Sequence, residues 1–352
     1  MSCTNPLRAF DTGYLTEKGK PLYYITSRRI NMIHKPLNEW CAKSQRPNHV
    51  YTDVYIKEFI EIPCMKCQSC RLDYSKEWMQ RCMLEQKMWD HNEMLTLTYD
   101  EEHVPKNIGC DTSTGEVLEV NTLRKKDVEK FLKDLRRYWK HHYNEDNIRF
   151  YMCGEYGELK GRPHYHLLMF NFNVRDKEYY KKSQSGFDMY HSKIIEKIWG
   201  RGHIELNEIS ADTCAYVARY VLKKQKGTGA KDYYALKGIE PEYTNGSRRP
   251  GIGETYFREN KDKIYEYDKI LLASKGGVQE IKPCKYYDRL FDAEEHDLME
   301  NIKERRKELA ERIQATQNAI SGLSIEKQRE YKANALRDRL KKLQRGFESS
   351  GF

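Results

Sequence analysis

Apolar residues recur along this chain with two different periods, and each change of period marks an element. From Arg71 to His91, Trp78, Cys82, Glu85 and Trp89 fall about one turn apart with no Pro or Gly between them, which predicts a helix. Met94–Asp100 alternates apolar and β-branched residues and predicts a strand. Pro105, Gly109 and Gly115 make residues 101–119 a loop with room for a small hairpin. Asn121 or Thr122 is then expected to cap a helix reaching about His142. Its Val128, Phe131, Leu132, Leu135, Tyr138 and Trp139 form one apolar stripe, with Lys126, Lys130, Lys133, Arg137 and Lys140 off it. Ile148–Cys153 and Pro163–Phe170 read as strands, the second opening on a Pro where no ladder bond is yet needed. Residues 177–199 read as helical with a break at Ser185-Gly186. Residues 202–206 read as a strand, and Ser210 caps a helix to about Lys224.

Between Met94 and Lys224 this order contains β-α-β-β-α-β. It predicts an α+β fold of the ferredoxin/RRM-like kind, an antiparallel sheet with helices on one face. The expected organisation is an N-terminal Cys-rich segment with a long helix (1–93), the α+β core (94–226), a basic, Tyr-rich segment (227–285) and a C-terminal helical hairpin (286–352). Residues 225–250 read as a Lys/Gly/Tyr-rich loop. In the last segment Leu298, Ile302, Leu309, Ile313 and Ile320 recur at spacings of four and seven, Ser321-Gly322 interrupts them, and Ser324 caps a second helix carrying Leu336, Leu340 and Leu343.

Composition narrows the function classes. The 352 residues contain no run of about 18 apolar positions, so no membrane partner is expected. No apolar signal core follows Met1, so the chain is expected to stay inside the cell, where ten Cys serve as thiols or metal ligands rather than disulfides. A net charge of +9 together with 26 Tyr leans towards nucleic acid: cations neutralise phosphates and rings stack on unpaired bases.

Three clusters carry chemistry. His164 and His166, two apart on a strand, point to the same face. With a carboxylate from Glu155 or Glu158 they make a site suited to Mg²⁺, Mn²⁺ or Zn²⁺ acting on a phosphate. Cys64-Met-Lys-Cys67-Gln-Ser-Cys70 has two successive spacings of the thiolate turns that hold Zn²⁺, and Cys3, Cys41 or Cys82 would supply the fourth ligand, with Cys3 the choice here. The third is the helix after Ser210. At 100° per residue Cys214, Val217, Ala218, Val221 and Leu222 make one side, while Tyr216, Tyr220, Lys223 and Lys224 make the other. A tyrosine hydroxyl, with a pKa of about 10, needs a base or nearby cations to become a nucleophile. Lys223 or Lys224 would provide the charge.

Leu95-Thr-Leu-Thr-Tyr99, Gly154-Glu-Tyr-Gly157, Arg162-Pro-His-Tyr-His-Leu167, the Tyr216–Lys224 run, the cysteine triplet and Ser247-Arg-Arg-Pro-Gly-Ile-Gly253 together resemble the replication initiation proteins of microvirus-type single-stranded-DNA phages, which are HUH endonucleases. The resemblance covers about residues 1–288. It implies rolling-circle replication: nicking at an origin, a 5′-phosphotyrosyl link and a 3′-OH passed to a polymerase. By motif position it makes His164, His166 and Glu155 ligands of Mg²⁺ or Mn²⁺, and Tyr216 and Tyr220 nucleophiles. Single-stranded and origin duplex DNA are the implied substrates, with Arg162, Arg219, Lys126 and Lys130 as candidate DNA contacts. A host helicase and polymerase are the implied partners, in the cytoplasm of the bacterial host. Tyr165 stands where the family motif has an aliphatic residue, and it is expected to face away from the metal. The competing readings are a transposase or relaxase with the same chemistry, and a non-catalytic nucleic-acid-binding protein with a zinc module.

Overall fold

A computed structural model describes residues 3–44, 51–111, 114–157, 161–183, 186–219, 224, 229–274 and 277–347. The chain divides into two compact units, Met1–Asp73 with Ser321–Leu343, and Tyr74–Ile320 with Gln344–Phe352.

The first unit contains β1 (Leu7–Leu15), β2 (Pro21–Thr26), β3 (Ile33–Pro36), α1 (Glu39–Ser44), β4 (Tyr51–Ile56) and β5 (Ile60–Ile62). Strands β2-β1-β5 form one antiparallel sheet and β3-β4 a separate hairpin. Phe10, fully buried, packs on Phe59, over which the Arg8 guanidinium lies at 4.2 Å. Helix α2 (Gln68–Gln86) starts here and continues into the second unit.

The second unit is built on a seven-stranded antiparallel sheet. In chain order its elements are β6 (Asn92–Thr98), the hairpin β7 (Lys106–Cys110) and β8 (Val117–Asn121), α3 (Lys125–Tyr143), β9 (Arg149–Tyr156), β10 (Pro163–Phe170), β11 (Glu178–Lys182), β12 (Asp188–His191), α4 (Lys193–Trp199), β13 (Ile204–Glu208) and α5 (Ala211–Arg219). Then come α6 (Ala230–Lys237), β14 (Tyr243–Gly246), α7 (Glu254–Tyr267), the hairpin β15 (Ile270–Ser274) and β16 (Gly277–Ile281), α8 (Lys285–Glu294) and α9 (His296–Ser321). The sheet order is β11-β12-β13-β6-β10-β9-β14. The β-α-β-β-α-β pattern expected from the sequence is present as β6-α3-β9-β10-α4-β13, with those four strands adjacent as β13-β6-β10-β9.

Helices cover both faces of this sheet, not one as the sequence suggested. Tyr165, Leu167 and Met169 of β10 look towards α3 and α4, where Phe131, Leu135, Trp139, Ile195 and Trp199 complete the larger core. Each such side chain contributes about 1.5–3 kcal/mol on burial, so packing rather than propensity secures α3. Leu168 and Phe170 look the other way, onto Cys82 of α2 and Cys214 and Val217 of α5. The strand β10 is buried on both faces, which is why an apolar run with only two histidines makes it up.

Three other sequence expectations change. Residues 177–199 are mostly a β-hairpin: β11 and β12 pair around the turn at Ser183–Phe187, and only Lys193–Trp199 is helical, with the Ser192 hydroxyl capping Ile195 N–H at 3.1 Å. The helix α3 begins at Lys125, later than Asn121 or Thr122, because residues 117–121 pair as β8 and the Thr122 hydroxyl accepts from Glu240 N–H. Residues 225–250 hold α6 and the edge strand β14 besides loop. Ser210 does cap α5, its hydroxyl accepting from Thr213 N–H at 3.2 Å.

A third core joins Leu84 of α2 to α7, β15, α8 and α9 through Phe257, Ile264, Leu272, Tyr287 and Ile302. Arg306 of α9 bridges Asp268 and Asp288 across it. α10 (Ile325–Phe347) follows α9 after Gly322-Leu323-Ser324, and Lys327 N–H bonds the Ser324 hydroxyl as the sequence predicted. Among the described residues no helix is long and apolar enough to cross a membrane.

One polar anchor lies inside this unit. Glu85 of α2 is fully buried and pairs with the buried guanidinium of Arg149 on β9. Glu85 also accepts from Gly253 N–H (2.6 Å) and Trp89 Nε1–H (3.0 Å), while Arg149 donates to the carbonyls of Pro250 (3.0 Å) and Gly251 (3.1 Å). The Ser247–Gly253 motif is thereby tied to both helix and sheet. Truncating one partner strands a buried charge, so Glu85→Ala is expected to lower unfolding stability by about 3–5 kcal/mol in denaturant titration. An unchanged midpoint would remove this pair from the account of the fold.

Candidate active site

Strand β10 pairs with β9 and β6 at once, and both ladders fix its residues. His164 lies directly opposite Glu155 on β9, and His166 opposite Thr96 on β6. The two imidazoles stack in parallel on one face, centroids 6.4 Å apart and planes within 5°. Glu155 and His166 are both buried, with Oε1 3.1 Å from Nε2. Tyr216 of α5 reaches the same nitrogen from above: its hydroxyl is 3.5 Å from His166 Nε2 and its ring stands edge-on at 5.0 Å.

The hydrogen bonds assign the ring nitrogens. His164 Nδ1 lies 2.8 Å from the Arg162 carbonyl, which can only accept, so Nδ1 carries the proton and Nε2 keeps its lone pair. Burial, reinforced by the neighbouring His166, holds His164 below its ordinary pKa, so the ring is neutral at pH 7. His166 Nδ1 faces the Thr96 hydroxyl at 3.1 Å. With that hydroxyl accepting, His166 Nε2 is a lone-pair donor as well. Two acceptors such as Nε2 and a carboxylate oxygen sit 3.1 Å apart stably only with a proton or a cation between them. A neutral His164 ring, His166 with its Nδ1 on Thr96, and a buried carboxylate make a donor set that could hold a divalent cation.

Both glycines of Gly154-Glu-Tyr-Gly157 have steric reasons. A Cβ on Gly154 would come within 2.8 Å of Tyr243 and 3.2 Å of Tyr165, and one on Gly157 within 3.0 Å of the His164 ring. Tyr165 faces away from the histidines, as expected. It is fully buried, bonds Arg124 N–H (2.8 Å) at the start of α3 and lies 3.2 Å from the Tyr99 hydroxyl, which donates to Asp127 (2.8 Å). Burial pushes the Tyr165 phenol up to about 12 and raises Tyr99 as well, so both remain protonated.

The other sequence candidates divide. Tyr220 and Lys223 lie outside the described residues, as does Glu158. Lys224 and Arg219 are half-buried, Arg219 closing α5. Arg162 is turned towards β6, donating to the Tyr99 carbonyl at 2.7 Å and pairing with Glu101. Lys126 and Lys130 are exposed on α3, across the sheet from the histidines, with Lys130 bonded to Asp134 at 2.6 Å. Thr96 was not singled out by sequence reading. The alternation Leu95-Thr-Leu-Thr holds its signal, but only the β6–β10 register places it on His166.

In the first unit Cys3, Cys64, Cys67 and Cys70 come together, with Cys3 Sγ 3.6 Å from Cys64 Sγ and 3.8 Å from Cys67 Sγ. All four sulfurs lie within 4.8 Å of one another, a metal-binding arrangement. Cys41 and Cys82 are not part of it. Burial raises Cys3 and Cys70; on Cys67 burial is outweighed by hydrogen bonds from Cys70, Thr4 and Cys64, which bring it down to about 6. The lowered Cys67 favours the thiolate form that a metal ligand requires. Among the described residues, the other set this close is Asp292, His296 and Glu300 on the surface, where the Lys303 amine already bonds both carboxylates. The His164, His166 and Glu155 donors are more loosely gathered than these sets.

The sequence model of a family described as replication-associated protein ORF2 matches residues 92–225, which span β6 to the end of α5. The chain is 33% identical over 328 residues to the replication-associated protein ORF2 of Spiroplasma virus 4, covering 92% of this chain and 91% of that one. It is 31% identical over 255 residues to the replication-associated protein VP4 of Bdellovibrio phage phiMH2K (71% and 74%), and 32% identical over 174 residues to the replication-associated protein ORF4 of Chlamydia phage 1 (48% and 40%). No solved structure gives a significant match. With 33% identity over 92% of its length to one such protein and the family model matching residues 92–225, the chain belongs to the replication-associated proteins of small single-stranded-DNA phages.

Proposed function

We propose that the protein initiates rolling-circle replication of a phage genome as an HUH endonuclease, nicking and rejoining DNA at the origin with a tyrosine nucleophile. The observation that carries the reading is the Tyr216 hydroxyl 3.5 Å from His166 Nε2, on the face that also holds His164 and Glu155. In this reading residues 94–226 supply the chemistry, residues 227–285 contact DNA, and the protein works in the host cytoplasm with host helicase and polymerase.

His164, His166 and Glu155 would hold Mg²⁺ or Mn²⁺, which supplies Lewis-acid charge at the scissile phosphate. Thr96 and the Arg162 carbonyl orient the two rings. The Tyr216 phenol loses its proton, its oxygen forms a bond to phosphorus, and the P–O3′ bond breaks. The 3′-oxygen leaves, takes up a proton and becomes the primer end. Lys223 or Lys224 offsets the phenolate charge. The strand is resealed when a 3′-OH attacks the phosphotyrosine, and Tyr220, four positions after Tyr216 in the sequence, would allow a second cleavage before the first link is resolved.

The test is incubation of purified protein with labelled single strands carrying its genome's origin, with Mn²⁺ or chelator. A denaturant-resistant adduct that requires metal and disappears in Tyr216→Phe/Tyr220→Phe is expected. Tight binding with no adduct on any origin strand would favour the non-catalytic reading, and an adduct surviving loss of both tyrosines would move the nucleophile elsewhere. Thr96→Val removes the outer partner of His166 while keeping the strand, and is expected to cost about 10–100-fold in cleavage rate or metal affinity. Full activity at ordinary metal concentration would show that Thr96 does not orient the ring.

For the cysteine cluster we propose structural Zn²⁺ on Cys3, Cys64, Cys67 and Cys70. Thiolates within 4.8 Å of one another and a Cys67 brought down to about 6 support it. Elemental analysis is expected to find one Zn²⁺ per chain, and its removal by a strong chelator, or Cys64→Ser, to lower the melting midpoint. Zinc-free protein with the same midpoint would refute the assignment.

A further inference from the structure

On the side of the sheet away from the histidines, a cavity of about 320 Å³ opens between α3 and the edge formed by β9 and β14. That volume is at the small end of ligand-binding clefts. Its floor is Phe150 and Met152 of β9, one wall is Tyr243 of β14, and the other carries Lys125, Lys133 and Arg136 beside Glu129, with Glu240 3.8 Å from the Lys125 amine at the rim. Tyr243 is half-buried, with the Lys125 amine 5.1 Å from its ring centroid. Arg136 is fixed over Phe150 at 5.2 Å by a bond to the Ile148 carbonyl at 2.9 Å. Strand β14 runs directly into the turn held by Glu85 and Arg149, which presents Arg248 and Arg249 to solvent. Neither guanidinium makes an ion pair among the described residues.

We propose that this groove and the Arg248-Arg249 turn form a second binding track for single-stranded DNA, separate from the nicking site. One base lies against Tyr243, and flanking phosphates sit on Lys125, Lys133 and the turn. The chemistry favours a single strand over a duplex, because a ring wall in a narrow cleft accepts only an unpaired base, while cations at both ends follow a continuing backbone. The proposal rests on the nucleic-acid reading above, yet it needs neither metal nor the proposed nucleophiles Tyr216 and Tyr220.

The experiment measures binding of the full chain to fluorescent (dT)20 by anisotropy across a salt series with chelator present, alongside adduct formation on a short origin strand with Mn²⁺. Lys125→Glu/Lys133→Glu is compared with Lys18→Glu/Lys20→Glu, an equal charge change at exposed positions in the other unit. Arg248→Ala/Arg249→Ala is the second variant, in case the helix reversal disturbs folding. At about 0.7 counterions released per single-strand phosphate, loss of two contacts is expected to flatten the log–log salt slope by about 1.4. Affinity is expected to fall 10-fold or more in either variant, with adduct yield at saturating protein unchanged in Lys125→Glu/Lys133→Glu. Equal weakening by the Lys18/Lys20 control, or loss of duplex but not (dT)20 binding, overturns the track. If the native protein forms no adduct but the groove variants still lose (dT)20 binding, the nicking reading fails and this one stands.

Discussion

Strand β10 can occupy only one register, and the rest of the site follows from that. It lies between β6 and β9 with both ladders formed, and its residues face two cores that want opposite things. Tyr165, Leu167 and Met169 fill the core under α3 and α4, whereas His164 and His166 share the other face with Leu168 and Phe170. A slip by one residue would drive both imidazoles under α3 and expose a phenol now bonded to Tyr99 and Arg124. Buried polar groups without partners cost about 1–3 kcal/mol each, and lost apolar burial adds to that. The apolar half of the strand thus holds the chemical half in place.

The two ends of the β9–β10 pair are treated differently. At the Arg149–Phe170 end the guanidinium is locked by Glu85 and two carbonyls, and α2, the sheet and the following turn become one body. At the Glu155–His164 end polar groups meet Tyr216, Thr96 and one another. Rigidity is concentrated about 20 Å from the site, six residues along the strand. The site end keeps only as much packing as its ring positions need. Gly154 and Gly157 serve that end by leaving room for Tyr165 and for the His164 ring.

Much of this was legible in the sequence where period and chemistry coincide. The aromatic and large apolar residues of Pro163–Phe170, opening on a Pro, gave the strand, and hence the shared face of the two histidines. The stripe from Val128 to Trp139 gave α3, and the face arithmetic from Ser210 gave α5 with Tyr216 turned to the polar side. The cysteine spacing gave three of the clustered thiols, and the fold joined them to Cys3 rather than to Cys41 or Cys82. Long-range pairing was not legible. Thr96 acquires a role only through its register with His166, seventy positions away. The segment at Glu178–His191 mixes Tyr and Lys with no clear period, so its hairpin depends on joining the β13 edge. Lys126 and Lys130 were read as one basic face, but nothing local says which side of the sheet α3 covers.

That last point changes how the charge distribution is understood. The cations of α3 are on the side of the sheet opposite the histidines, so in the proposed reaction they would not hold the scissile phosphate. They can hold the same strand further along. Strand β14 is the sheet edge, and only two strand spacings, about 10 Å, separate it from β10. A flexible single strand can pass around that edge within a few nucleotides, whereas a stiff duplex cannot. On the proposed reading, a protein that cuts one strand and keeps hold of its freed end would gain from this layout. The chemistry would occupy one face and the grip the other, with neither set of charges competing for the same phosphate.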